Sequence, residues 1–86
     1  MHRTTPRFWR LFEELPNPVQ RTALRNFRLL RENPRHPSLR FKKIGDYWSA
    51  RVGRSYRALA VQAGDDLVWV WIGVHDEYDR IVESQR

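Results

Sequence analysis

His75-Asp76-Glu77-Tyr78 stands directly behind the most apolar run of the chain, Leu67-Val68-Trp69-Val70-Trp71-Ile72. A histidine at a strand end, among carboxylates and a phenol, can take or give a proton near neutral pH. His2 and His36 have no comparable setting. Three histidines far apart, in a chain without cysteine, predict no metal centre, and nothing else predicts a cofactor. A second set is cationic: Arg40, Lys42, Lys43, Arg51, Arg54 and Arg57, interleaved with Tyr47 and Tyr56. Guanidinium groups on a rigid strand suit the gripping of phosphate and the stabilisation of a developing phosphorane charge. Charge that protects an edge strand from unwanted pairing explains Lys42 and Lys43 well, but explains Arg57, in an otherwise apolar segment, poorly. The third set is Arg21, Arg25, Arg28 and Arg31, with Glu32 the only acid nearby. A solvated helix face would account for that row. So would a bound polyanion, because like charges at i, i+4 repel by a few tenths of a kcal/mol until something neutralises them. No Gly-rich phosphate loop and no Gly-x-Ser-x-Gly nucleophile elbow is present.

Few elements are available to position these groups. The 86 residues predict one domain, 1–86, with four Trp, four Phe and three Tyr as its large burial units. Residues 1–43 carry eleven basic and three acidic side chains, net +8, and residues 44–86 carry five and seven, net −2, which together give +6. A positive field gathered in one half suits a nucleic acid, a ribosome or an acidic protein, and equally a solubilising surface. The opening residues lack the apolar core of a signal peptide, and no run approaches the ~20 apolar residues of a membrane span. The expectation is a cytoplasmic protein with no membrane partner.

Thr5-Pro6 predicts a helix start, with Thr5 as N-cap and Phe8, Leu11, Phe12 and Leu15 on one face. Pro16-Asn17-Pro18 breaks that helix, and Asn17 is the expected cap of a second one. There Val19, Ala23, Phe27 and Leu30 form the buried stripe, opposite the four arginines. The loop between them forces an antiparallel hairpin. After Pro37 the period becomes two: strands are expected over Leu39–Ile44, Tyr47–Gly53, Tyr56–Ala63 and Leu67–Gly73, the last apolar on both faces and therefore central. His75–Arg86 could close the chain with a short helix. The fold expected is α+β: an N-terminal helical hairpin on one face of a four-stranded antiparallel sheet, with room for a short N-terminal strand and a C-terminal helix.

Three strings carry a resemblance. Asn33-Pro34-Arg35-His36-Pro37-Ser38-Leu39-Arg40-Phe41-Lys42-Lys43-Ile44 resembles the helix-to-sheet joint of RelE/ParE superfamily toxins of toxin–antitoxin systems. Arg51-Val52-Gly53-Arg54-Ser55-Tyr56-Arg57-Ala58-Leu59 is similar to their hairpin, and Trp71-Ile72-Gly73-Val74-His75-Asp76-Glu77-Tyr78-Asp79 to their closing strand. The likeness covers roughly residues 5–82. It implies helices on one sheet face, a working cleft on the other, and a cognate antitoxin as partner. It further implies an mRNA interferase acting with the ribosome, an endoribonuclease in which the ribose 2′-OH attacks the adjacent phosphate. Under that resemblance Arg57 would stabilise the phosphorane, and Arg51, Lys42 and Lys43 would hold RNA, with Arg40 and Arg54 beside them. His75 would be the general acid or base, and Tyr78 would stack on a base or orient the phosphate. Two alternatives travel with it: a ParE-like inhibitor of DNA gyrase acting by binding, and a non-catalytic antitoxin-binding relic. The chain departs from the family in its short segment before Thr5 and in the carboxylates Asp76, Glu77 and Asp79.

Overall fold

Residues 1–84 are described by a computed structural model. Strand β1 (His2–Thr4) leads into helix α1 (Pro6–Glu13), helix α2 (Asn17–Glu32) and a 3-10 turn at Pro37–Leu39. Strands β2 (Lys42–Ile44), β3 (Tyr47–Val52), β4 (Tyr56–Ala63) and β5 (Asp66–Val74) follow, and helix α3 (His75–Glu83) completes the order. The end of the last helix as expected from sequence, at residues 85 and 86, lies outside the described residues.

The start of α1 is the one expected. The Thr5 side chain accepts from Phe8 N, and Pro6 occupies the first helical position, where its missing N–H costs nothing. The start of α2 corrects the expectation: Pro16 is the cap, with no side-chain hydrogen bond, and Asn17 already belongs to the helix. The segment before β2 is also different. Leu39 is drawn to zero exposure inside the 3-10 turn, and Arg40 adopts a left-handed backbone at φ 44°, so only Lys42–Ile44 extends as a strand.

The sheet has five strands in the order β1-β5-β4-β3-β2, not four. It is mixed: β1 runs parallel to β5, while the remaining pairs are antiparallel. Three residues suffice for β1 because its neighbours clamp it. Leu67 N donates to Met1 O at 2.8 Å, the Met1 ammonium and Arg3 both face Asp66, and Thr5 Oγ1 donates to Trp69 O at 3.1 Å. With β1 on one side and β4 on the other, β5 is an interior strand, in keeping with its unbroken apolar run.

A bulge divides β5. Leu59 pairs with Trp71 but Ala60 pairs with Trp69, so Val70 is the extra residue. The phase shift turns Trp69 and Ile72 to the same face, where they join Phe8, Phe12, Ala23, Leu30, Ala50, Val52 and Ala58 beneath the helical hairpin. Trp71 is turned to the opposite face, where it packs with Leu59, Tyr78 and Val82. That second cluster corrects the picture of an open sheet face: α3 lies across part of it. Burying Leu59 and Val82 completely removes apolar surface worth about 25 cal/mol per Å². No helix among the described residues is long and apolar enough to cross a membrane.

Candidate functional site

Register decides which charged side chains meet. Arg51 on β3 stands directly opposite Arg57 on β4, and Arg57 opposite Gly73 on β5. All three belong to the sheet face that α3 partly covers, since Ala50, Val52 and Ala58 alternate to the other side. Like charges directly opposed on one face of a sheet destabilise it. A bound anion would reverse that cost.

Each guanidinium is held from below. Arg51 Nε donates to Gly53 O at 2.9 Å, and an Arg57 terminal nitrogen donates to Tyr56 O at 2.9 Å. The Arg57 guanidinium carbon also lies 5.8 Å from the centroid of the Tyr78 ring, within cation–π range. Burial, then the adjacent Arg51 charge, press the Arg57 pKa below its ordinary value. Tyr78 pulls it up, Arg40 presses it down again, and Asp79 pulls it up. Arginine stays protonated under such pressure, so the pull toward an anion is retained.

His75 reaches the same place by another route. It opens α3, and its backbone N–H donates to Ser55 O at 2.9 Å, which ties the helix to the β3–β4 turn. Its ring sits 5.6 Å from the Tyr78 ring, so Arg57 and His75 share one aromatic floor. Nδ1 lies 3.2 Å from Asp79 Oδ2. An ionised carboxylate only accepts, so this contact favours the hydrogen on Nδ1 and leaves Nε2, on a side chain 42% exposed, for an external group.

The resemblance gives Tyr78 two roles, stacking on a base or orienting the phosphate, and the structure sets its ring in the interior. It is 5% exposed, and its phenol oxygen accepts from Ser49 Oγ at 3.1 Å inside the core. A ring in that position supports Arg57 and His75 and is not free to stack on a base. Lys42 pairs with Ser49 and stands on the same face as Arg51, exposed. Lys43 pairs with Trp48 and faces the other way, so the two lysines do not act together. Arg40 influences Arg57 electrostatically from the segment before β2, and Arg54 is exposed in the turn beside Ser55.

Two contributors escape a reading of the sequence. In linear order Asp79 is one of three carboxylates that depart from the family pattern, with nothing to link it to His75 until a helix makes their i, i+4 spacing a contact. Gly73 keeps the row open: a Cβ there would come within 2.6 Å of the Trp71 ring. Nothing in the linear spacing signals that. Among the described residues, His75, Asp76 and Asp79 place ligand atoms within 4.8 Å of one another. They lie on the first turns of one helix, and His75 and Asp79 already satisfy each other.

A family model for the ParE-like toxin domain matches residues 17–80. No curated protein matches the chain. Among solved structures, the RelB-RelE antitoxin–toxin complex from Methanococcus jannaschii is similar over 91% of this chain and 96% of that one, at TM-score 0.70 and 18% identity. YafQ from E. coli gives the same coverage at TM-score 0.72 and 12% identity. The RelBE2 toxin–antitoxin complex from Mycobacterium tuberculosis covers 87% and 96%, at TM-score 0.63 and 22% identity. At these identities the likeness is one of fold.

Proposed function

This chain belongs to the ParE-like toxin domain family, within the RelE/ParE superfamily of toxins from toxin–antitoxin modules, and on that premise we propose that it is a ribosome-dependent mRNA endoribonuclease restrained by a cognate antitoxin. The observation that supports this most is the cross-strand pair Arg51–Arg57 with His75 beside it on a common aromatic floor. Paired guanidiniums suit a phosphodiester whose charge grows as it becomes a phosphorane. In the reaction the ribose 2′-OH loses its proton and attacks the adjacent phosphorus. The bond from phosphorus to the 5′-oxygen breaks, leaving a 2′,3′-cyclic phosphate, and the departing oxygen gains a proton. His75 Nε2 is the group available for one of these proton transfers, with Asp79 as a positioning residue that holds the tautomer. An acid–base set this small fits an enzyme that relies on the ribosome to align 2′-OH, phosphorus and leaving group.

The test is message integrity in a coupled translation extract. Purified protein should truncate messages, and His75→Ala or Arg57→Ala should lower cleavage by about 100-fold or more while circular dichroism is unchanged, the range expected for loss of a general acid–base or a charge-stabilising group. A second reading, inhibition of DNA gyrase by binding, is favoured by Asp76 and Asp79, whose carboxylates lie beside His75 and repel phosphate. Intact messages together with blocked supercoiling would transfer the assignment to that reading.

A further inference from the structure

We infer that Asn26 is a positioning residue for Arg51: its carboxamide stands in for a missing strand and fixes the backbone from which that guanidinium reaches Arg57. The inference rests on the reading of Arg51 and Arg57 as the pair that grips the scissile phosphate. Asn26 is out of place by pattern. It stands three residues after the buried Ala23 and four before the buried Leu30, on the flank of α2 that turns to the sheet. Asparagine is a weak helix former, and an amide on a buried flank is costly unless something accepts its hydrogens. The acceptor here is Arg51 O, to which Asn26 Nδ2 donates at 3.1 Å across 25 residues of chain.

That carbonyl is free because β2 begins late. Lys42 pairs with Ser49, and the same register carried two residues further would set Arg40 against Arg51. Arg40 does not take that place. Its backbone is left-handed at φ 44°, and its N–H donates to Pro37 O at 3.3 Å. Beyond Lys42 the outer edge of β3 therefore has no strand partner among the described residues, and Asn26 supplies the donor that a strand would have given.

The direction of this bond also fixes the kind of pair Arg51 makes on its other side. In extended backbone the N–H and C=O of one residue point the same way, so a carbonyl turned toward α2 is turned away from β4. Arg51 and Arg57 are thus a non-hydrogen-bonded pair, the kind in which Cα atoms stand only about 4.5 Å apart and side chains are closest. No ladder bond to β4 restrains Arg51 at its own position, and Asn26 does. At the other end of the residue, Arg51 Nε donates to Gly53 O at 2.9 Å. Gly53 in turn lies against α2, since a Cβ there would be 3.7 Å from Thr22 Cγ2. One helix, through Thr22 and Asn26 one turn apart, braces both the root and the rest of this arginine.

Asn26→Leu keeps the size of the side chain and removes the donor. On programmed ribosomes its saturated rate of message cleavage should fall by about 10-fold or more, since a misplaced group costs up to about 100-fold. The half-saturating ribosome concentration should stay within about twofold, because the arginine pair acts on charge that grows only in the transition state. In an Arg51→Lys background, which lacks Nε, Asn26→Leu should lower the rate by less than about twofold, the group it positions being gone. A readout independent of cleavage is hydrogen exchange of the Arg51 Nε–H, which should become about 10-fold faster in Asn26→Leu while the amides of α2 and β4 keep their protection. If Asn26→Leu fails to fold, Asn26→Ser, which leaves room for water, replaces it in every measurement. Equal losses in both backgrounds would make Asn26 a scaffold residue and overturn the inference, as would Asn26→Leu cutting at the wild-type rate. Should the wild-type protein leave messages whole, the endoribonuclease reading falls by itself. Exchange then decides alone: a faster Nε–H supports the positioning of Arg51 by Asn26, and an unchanged one overturns it.

Discussion

His2 has the most context-dependent role of the three histidines. In sequence it is an unremarkable second residue, yet in the fold its Nδ1 accepts from Trp69 Nε1 at 3.1 Å, and its ring lies between Trp69 and Phe27. Burial, then the Met1 ammonium and Arg31, lower its pKa from the ordinary 6.5. The folded protein therefore binds this proton less readily than the unfolded chain. The stability His2 contributes is complete above pH 6.5 and is lost as pH falls from there toward the depressed folded value. A protonated Nδ1 also cannot accept the indole hydrogen, so acid weakens the hold on β1. Urea midpoints should accordingly be higher at pH 7.5 than at pH 5.5, and His2→Gln should shrink the difference. An equal decline in wild type and variant would assign the effect to other groups.

β5 and α3 have to be considered together, because one glycine lets them meet. Gly73 sits opposite Arg57, and its missing side chain leaves room for Trp71, which packs with Tyr78 and Val82 of α3. Gly73 has no positive φ, so a substitution there tests space alone and not backbone strain. Gly73→Ala should cost about 1–3 kcal/mol through overpacking, and should also displace the Trp71 ring. Chemical denaturation followed by tryptophan fluorescence reads both effects. An unchanged midpoint and spectrum would mean that the Trp71 ring does not constrain this position. At this scale the sequence was legible wherever one residue type has one local use. Thr5-Pro6 starts α1, and Tyr56–Ala63 forms a strand with the predicted bounds, whereas Gly53, expected to end a strand, takes a positive φ in the turn after Val52. It was not legible at the bulge, since a run apolar on both faces contains no phase to shift.

For the molecule as a whole, the sheet is a shared middle layer. The hairpin buries one face around Phe8, Phe12 and Ile72, and α3 buries part of the other around Leu59 and Trp71. A chain of 86 residues has little stability to spare, so losing either cover should be felt globally. Ending the chain at Val74 would expose Leu59 and Trp71 and remove His75 together with the Tyr78 support of Arg57. We expect that truncation to lose cooperative thermal unfolding and to bind a hydrophobic dye. A truncated protein that melts as sharply as the full chain would show that α3 contributes to the site but not to the core.

Local chemistry, which linear order records, was enough to establish an α+β chain, the hairpin, the basic half, the central place of β5, and the resemblance that the family match bears out. Which groups stand together was settled only by strand register and by the landing place of α3. Register sets Arg51 against Arg57 and turns Lys42 and Lys43 to opposite faces. The docking of α3 buries Tyr78 as a floor beneath Arg57 and His75, a position that linear order does not give. These outcomes depend on contacts between residues far apart in the chain, and pairing shifted by one residue would exchange every face.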